Sequence, residues 1–142
     1  LTPKRERFVG YHDGYRRLPD GVLHRREVVF EKSTRRIMVS DTVDCAGPHV
    51  VELLWHFAED CVVSLIDGGV KAVNGAHTLT LSLSHSCVQP EIRYGSEDPP
   101  GGWISRAYDR KVPTSTVVWT VPIKEAIILR TEIVLPPLIS TS

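Results

Sequence analysis

The chain has 142 residues, of which 42% are hydrophobic and 24% charged, and its formal net charge at pH 7 is zero. This length fits one domain with a substantial core, and the neutral balance argues against a nucleic-acid-binding protein that relies on a broad basic face. No apolar run approaches the roughly 20 residues of a membrane-spanning helix, and no signal peptide is recognisable, so we expect neither nucleic acid nor membrane as a partner. The first residue is Leu1 rather than methionine, which favours a segment of a longer protein.

Short apolar segments that alternate with polar residues and end at turn signals predict an all-β fold. Strands that recur about every 8 to 12 residues indicate an antiparallel sandwich or barrel. We expect one antiparallel β-sandwich domain over residues 1–142, with a frayed tail after Pro137. The Pro/Gly-rich segment 97–102 predicts an irregular loop, and 106–113 indicates a surface connection. The predicted strands cover residues 4–12, 22–31, 36–44, 48–57, 61–67, 70–73, 77–84, 88–94, 103–105, 115–121 and 126–135.

The segments 22–31 and 36–44 predict a hairpin whose register follows from its alternation. An even-length loop centred on Ser33 and Thr34 brings the more apolar faces of both strands to the same side, and this register sets Arg26 opposite Asp41. Because an unpaired buried charge costs several kcal/mol, we expect these two residues to form a structural ion pair. The inward faces carry Val22, His24, Arg26, Val28 and Phe30 on one strand, and Ile37, Val39, Asp41 and Val43 on the other.

Potential metal ligands are scattered rather than clustered along the chain. The three cysteines, Cys45, Cys61 and Cys87, match no metal-binding spacing. We expect them to be small buried residues, and a disulfide between two of them remains open. His24, His49 and His56 with Asp41 or Asp44 are of the types that bind zinc, but their spacing is not diagnostic. We therefore expect no metal site and interpret His24 as a core histidine with a satisfied hydrogen bond.

Five short motifs occur in order along the chain. They are His12-Asp13-Gly14-Tyr15, His24-Arg25-Arg26, Asp41, Trp55-His56-Phe57 and Gly102-Trp103-Ile104-Ser105-Arg106-Ala107-Tyr108. Their types and order resemble the C-terminal part of the heparinase II/III-like family of bacterial polysaccharide lyases, over about Gly10 to Val121. The usual glycine after the tyrosine of the last motif is Asp109 here, a departure that concerns the turn more than the chemistry.

The resemblance implies a β-sandwich that follows a helical N-terminal toroid in a longer polypeptide. Enzymes of this family cleave uronic-acid-containing glycans by β-elimination, with a tyrosine or histidine as the base at C5. Their His-x-His segment and structural zinc belong to upstream sequence, and no His-x-His occurs here. We therefore expect no catalytic residue, metal or cofactor in this segment. The implied partners are the toroid and central sandwich of the same polypeptide, and the implied location of that polypeptide is periplasmic or secreted.

His12, Tyr15 and Arg25 are the candidate substrate-binding residues, near a glycine turn of the kind that often carries function. Histidine and tyrosine suit proton abstraction, and arginine matches the carboxylate or sulfate of an anionic polysaccharide. The alternative is that His12 and Asp13 cap the turn, that Tyr15 packs beneath it, and that acidic neighbours neutralise the arginines. Trp103 and Tyr108 similarly offer either a sugar-stacking platform or packing at the sandwich edge.

Three functions are compatible with these features. We favour a C-terminal β-sandwich that supports the catalytic toroid of a polysaccharide lyase and is not catalytic alone. The alternatives are a non-catalytic glycan-binding module and a purely structural domain.

Overall fold

The computed structural model describes residues 4–84 and 88–137. Strands account for 66% of the chain and helix for 3%, which confirms the all-β prediction. Within the described ranges the one helical segment is a 3₁₀ turn at Gly14–Arg17, and no helix there is long and apolar enough to cross a membrane. The strands are β1 (Arg5–His12), β2 (Leu23–Glu31), β3 (Arg36–Asp44), β4 (His49–His56), β5 (Val62–Ile66), β6 (Gly69–Asn74), β7 (His77–Leu83), β8 (Glu91–Tyr94), β9 (Ser96–Glu97), β10 (Pro100–Gly101), β11 (Trp103–Ala107), β12 (Arg110–Pro113), β13 (Ser115–Ile123) and β14 (Ile127–Val134).

The strands form two main antiparallel sheets. The large sheet has the order β1-β2-β3-β14-β7-β6-β5, and the small sheet has the order β4-β13-β8. Their facing sides share one hydrophobic core, in which Trp119 of β13 and Leu129 of β14 are fully buried. Two short antiparallel ribbons, β9 with β10 and β11 with β12, come between β8 and β13 in the chain. The β-sandwich prediction is therefore confirmed.

The central strand of the small sheet is buried on both of its faces. Val117 and Trp119 pack into the shared core, while Thr116 and Val118 on the opposite face are equally inaccessible. On that opposite face the Gly102 N–H donates to Thr116 Oγ1 at 3.2 Å. A Cβ on Gly102, whose φ is +75°, would lie 2.3 Å from the Arg93 carbonyl oxygen, so only glycine fits this close approach.

The β2–β3 hairpin has the register that its alternation predicts. Phe30 lies opposite Ile37, and Arg26 lies opposite Asp41. The burial of β2 is less one-sided than expected, because Val29 on the outward face is buried while Val28 on the inward face is only half-buried. Cross-strand neighbours explain both facts: Arg7 and Met38 flank Val29, whereas Val28 lies beside Phe8 on the edge strand β1, and Phe8 is itself 63% exposed.

Two predicted connections are strands instead. The loop predicted at 97–102 contains the β9–β10 ribbon, and the surface connection predicted at 106–113 contains β12, which pairs with β11. The two-residue turn between β11 and β12 places Asp109 at φ 56°, a left-handed conformation that favours glycine. The residue at which this chain departs from the family pattern therefore still adopts the conformation that glycine would.

The two cysteines that the structure describes are less buried than predicted. Cys45 and Cys61 are free thiols and only half-buried. Partial burial, with smaller contributions from Asp20 and Asp44, raises the pKa of the Cys45 thiol, so this thiol is a poor nucleophile near neutral pH. Cys87 and the tail after Pro137 lie outside the described residues.

Candidate functional site

Asp41 is the most completely buried charged side chain among the described residues, and three hydrogen bonds satisfy it. Arg26 donates from Nε to Oδ1 at 2.7 Å and from Nη2 to Oδ2 at 2.9 Å. His24 Nε2 lies 2.7 Å from the same Oδ1. Alternation of β2 puts His24 and Arg26 on one face, and the hairpin register brings both to Asp41. This geometry holds the guanidinium and the imidazole in fixed orientations at the inner surface of the large sheet.

A second histidine–aspartate pair joins the loop before β2 to the start of β4. His49 Nε2 lies 2.8 Å from Asp20 Oδ2, and the Gly47 N–H donates to the same oxygen at 2.8 Å. These contacts, the bond with His49 first, lower the pKa of Asp20 below its usual value of 3.8. Asp20 is therefore ionised at neutral pH and fastens the 18–21 turn to the small sheet. Sequence reasoning missed this pair, although the Pro-Asp-Gly turn was a signal for a side chain that bonds backbone.

A cleft of about 480 Å³ lies between these two pairs, at the edge where β4 faces β2. Its floor is apolar, with Leu53 of β4 and Leu129 of β14. Arg26 forms part of the wall, and its Cζ lies 5.5 Å from the centroid of the Trp55 ring. The lining side chains that can hydrogen-bond are Tyr15, His24, Arg26, Asp41, His49 and Glu52. The cleft can thus accommodate an elongated group that is mainly apolar and meets hydrogen-bonding groups along one side.

The rings of His12 and Tyr15 are in contact, and Tyr15 lines this cleft. Their ring centroids are 5.3 Å apart with an interplanar angle of 67°. A Cβ on Gly14 would lie 2.5 Å from His12 Cε1, so the glycine of the His-Asp-Gly-Tyr motif makes room for the histidine ring. No side-chain hydrogen bond caps the 3₁₀ turn that follows Asp13. The predicted alternative is therefore wrong in two respects, because no side chain caps the turn and Tyr15 is 46% exposed rather than packed beneath it. A binding role for the two rings stays a prediction.

The structure does not bring Arg25 to His12 and Tyr15. Arg25 lies on the outward face of β2, where its Nη2 is 3.4 Å from Glu27 Oε2. Glu27 also accepts from Arg7 Nε at 2.6 Å, so this outward surface is a mixed-charge network. Arg26, its neighbour on the opposite face, is the arginine that lines the cleft.

The two aromatic residues of the late motif are placed differently from each other. Trp103 donates from Nε1 to the Ser96 carbonyl at 3.0 Å, and Lys111 Nζ lies 4.0 Å from the centroid of its ring. This ammonium occupies one ring face as a cation–π partner, which leaves that face closed to sugar stacking. Tyr108 is fully exposed at the tip of the β11–β12 hairpin. The two rings therefore do not form one platform.

Metal-binding side chains do not converge within residues 4–84 and 88–137. No group of three or more His, Cys, Asp or Glu side chains there has the geometry to hold a metal ion. His24 with Asp41, and His49 with Asp20, each bring together only two such groups. These donor sets do not fit a zinc site with two histidines and an aspartate.

Residues 1–132 match the family model described as heparinase II/III-like, C-terminal. No curated protein shows significant sequence similarity to the chain.

Solved structures with the same fold are named heparinase III or heparan sulfate lyase. A heparan sulfate lyase, HepC from Pedobacter heparinus, superimposes with a TM-score of 0.76 at 14% identity, covering 97% of this chain and 21% of that one. A structure named heparinase III gives a TM-score of 0.73 at 14% identity, with 97% and 20% covered. A further heparinase III gene product gives 0.70 at 16% identity, with 96% and 20% covered. The chain thus spans about a fifth of the length of the solved chains that it resembles.

Proposed function

The chain belongs to the heparinase II/III-like C-terminal family, and from this premise we propose that it is the C-terminal β-sandwich of a polysaccharide lyase. The reaction would be β-elimination of a uronic-acid-containing glycan, carried out by other sequence of the same polypeptide. In this proposal residues 1–142 form one domain, which supports the catalytic part and is not catalytic alone.

The observation that carries this proposal is the combination of family and coverage. The family model matches 132 of the 142 residues, yet the chain spans about a fifth of the heparinase III and heparan sulfate lyase chains that share its fold. The geometry of the cleft agrees with a supporting role. His24 and Arg26 are hydrogen-bonded to Asp41, and His49 is hydrogen-bonded to Asp20. These side chains therefore already have a structural role in holding the strands together.

Activity measurements on two proteins test the proposal. The full-length polypeptide and the segment 1–142 are incubated with heparan sulfate, chondroitin sulfate or alginate, and the near-ultraviolet absorbance of unsaturated uronides is followed. We expect absorbance to rise with the full-length polypeptide and to stay flat with the segment, whose folded state is checked by circular dichroism. A folded segment that cleaves a glycan would contradict the supporting role, and an inactive full-length polypeptide on every uronide would contradict the lyase assignment.

A non-catalytic glycan-binding module is the second candidate, favoured by the contact of His12 with Tyr15, which lines the cleft. Titration of the folded segment with oligouronides, followed by NMR, tests it. We expect any contact to shift His12 and Tyr15, and the arginine that moves with them identifies the face. A shift at Arg26 places the sugar in the cleft, whereas a shift at Arg25 places it on the outward surface. Shifts confined to Trp103 and Tyr108 would instead support stacking at the late hairpin.

A further inference from the structure

The small sheet ends at β4, whose main chain has a partner strand on one side only within residues 4–84 and 88–137. The Phe57 N–H donates to the Ser115 carbonyl at 2.9 Å, which fixes the phase of hydrogen bonding between β4 and β13. In an antiparallel pair, opposed residues alternate between hydrogen-bonded and non-hydrogen-bonded pairs. Residues 51, 53 and 55 therefore bond to β13, and the N–H and C=O groups of Val50, Glu52 and Leu54 point away from it.

Pro122 provides an independent check on this phase. It lies opposite Val50 in the register, and proline has no N–H to give to a neighbouring strand. A proline at that position is compatible with the ladder because the pair is one of the non-hydrogen-bonded pairs. Every second residue of β4 from Val50 to Leu54 thus points its main-chain N–H and C=O groups away from β13, and within the described residues these groups form a row of unpaired donors and acceptors along the edge.

The free edge of β4 faces the cleft described above. Residues 50 to 54 of β4 line it together with Tyr15, Leu18, His24 and Arg26. On the outer face of the sheet Val50 is 65% exposed and Leu54 is 42% exposed. An extended segment laid along β4 would place alternate side chains in the cleft and the others beside Val50 and Leu54.

The large sheet shows the same incompleteness from the other side. Phe8 is 63% exposed although it lies on the inward face of β1, opposite Val28 of β2. A strand added to the small sheet would lie about 4.8 Å beyond β4, over the inward face of β2. It would cover apolar surface that an isolated sandwich leaves open to water.

We propose that β4 is paired in the mature protein by an extended strand from the same polypeptide, contributed by sequence outside residues 1–142. This inference rests on the proposed function, in which the chain is one part of a longer lyase. That occupant suits the chemistry of the cleft, because Asp41 already neutralises Arg26 and Asp20 Oδ2 already bonds His49, so an added strand meets an apolar floor beside paired charges. Asp20 Oδ1 is buried without a hydrogen-bond partner among the described residues. Unpaired edges of this kind are ready templates for strand addition.

Amide hydrogen exchange on the full-length polypeptide tests the pairing residue by residue. We expect the amides of Val50, Glu52 and Leu54 to exchange at least about a hundredfold more slowly than unprotected amides, as slowly as those of residues 51, 53 and 55. Rapid exchange at the first three with protection at the second three would show a free edge and would overturn the proposal. Protection that grows with protein concentration would assign the edge to a second copy and would also overturn it.

A matched pair of variants at one exposed residue separates the main-chain bond from the side chain. Glu52→Pro removes an N–H that points away from β13, whereas Glu52→Ala keeps it. In the full-length polypeptide we expect Glu52→Pro to speed exchange at the neighbouring amides of Val50 and Leu54 by about tenfold, and Glu52→Ala to leave it unchanged. Equal exchange in both variants would contradict the pairing. These readouts do not depend on catalysis, so an inactive polypeptide with a protected β4 would reject the lyase assignment and retain the added strand.

Discussion

Two arginine–carboxylate pairs of this molecule have almost the same geometry and very different surroundings. Arg26 meets Asp41 through two parallel hydrogen bonds of 2.7 and 2.9 Å, and Arg106 meets Glu59 through two of 2.5 and 2.8 Å. The side chain of Asp41 is 3% exposed, whereas that of Glu59 is 32% exposed. Equal hydrogen-bond geometry therefore does not imply an equal contribution to stability. An exposed ion pair contributes little because water replaces a lost partner, whereas breaking a buried pair leaves a poorly solvated charge.

The further donor at each carboxylate also differs. Asp41 has a third polar partner in the side chain of His24, as a buried carboxylate needs to replace its lost hydration. Glu59 lies nearer the surface, and its further donor is its own backbone N–H. The buried site is thus built by three side chains, whereas the exposed site needs only two.

Removing the buried carboxylate should give the largest effect. We expect Asp41→Ala to lower the free energy of unfolding by roughly 1–3 kcal/mol, because Arg26 and His24, whose side chains are 37% and 29% exposed, would lose a common acceptor that water only partly replaces. Urea denaturation of the segment measures it. Asp44→Ala, at the exposed end of the same strand, is the matched control and should change stability by less than about 0.5 kcal/mol. An unchanged midpoint for Asp41→Ala would show that the pair contributes as little as a surface pair.

Replacing both charges should cost less than replacing one. In the double variant Arg26→Met with Asp41→Leu no charge of the pair remains without its partner, and both new side chains are apolar. We expect less than half of the loss measured for Asp41→Ala, with the remainder due to His24, which loses its acceptor as well. A double variant as unstable as the sum of the two single variants would mean that the pair is strongly favourable in itself.

The two ion pairs also differ in whether they could be predicted from the sequence. The register of Arg26 and Asp41 was predictable because one even loop and a period of two fix which residues oppose each other. The bond of Arg106 to Glu59 was not, since 47 residues separate them and β12 was predicted as a connection. Polar composition hid that strand, and Asp109 replaced the glycine that would have indicated its turn.

The cleft itself illustrates a second limit. Alternation correctly placed Arg26 on the inward face, but nothing in the sequence showed that the small sheet stops at β4 and leaves this part of the inward face uncovered. Sheet order depends on pairings between distant segments, such as β3 with β14, for which a single sequence carries no local signal. The candidate residues His12 and Tyr15 were found together because they are close in the chain, whereas Asp20 and His49 were not.

The exposed pair should give the smallest effect, visible mainly in its dependence on pH. The hydrogen bond from Arg106, followed by one from the backbone N–H of Glu59 itself, lowers the pKa of Glu59 from 4.5 to about 2. Because the folded-state pKa is the lower one, the stabilisation is fully present above pH 4.5 and is lost as the pH falls from 4.5 towards 2.

The matching variant is Glu59→Gln, which keeps the size of the side chain and removes its charge. We expect its thermal midpoint to lie slightly below that of the wild type at pH 7, and the gap to close as the pH falls through this range. Added salt should narrow the gap at pH 7, because screening acts on exposed charges and much less on buried ones. For Asp41→Ala the gap at pH 7 should persist in salt, and a gap that closed equally in both variants would contradict the distinction between the two pairs.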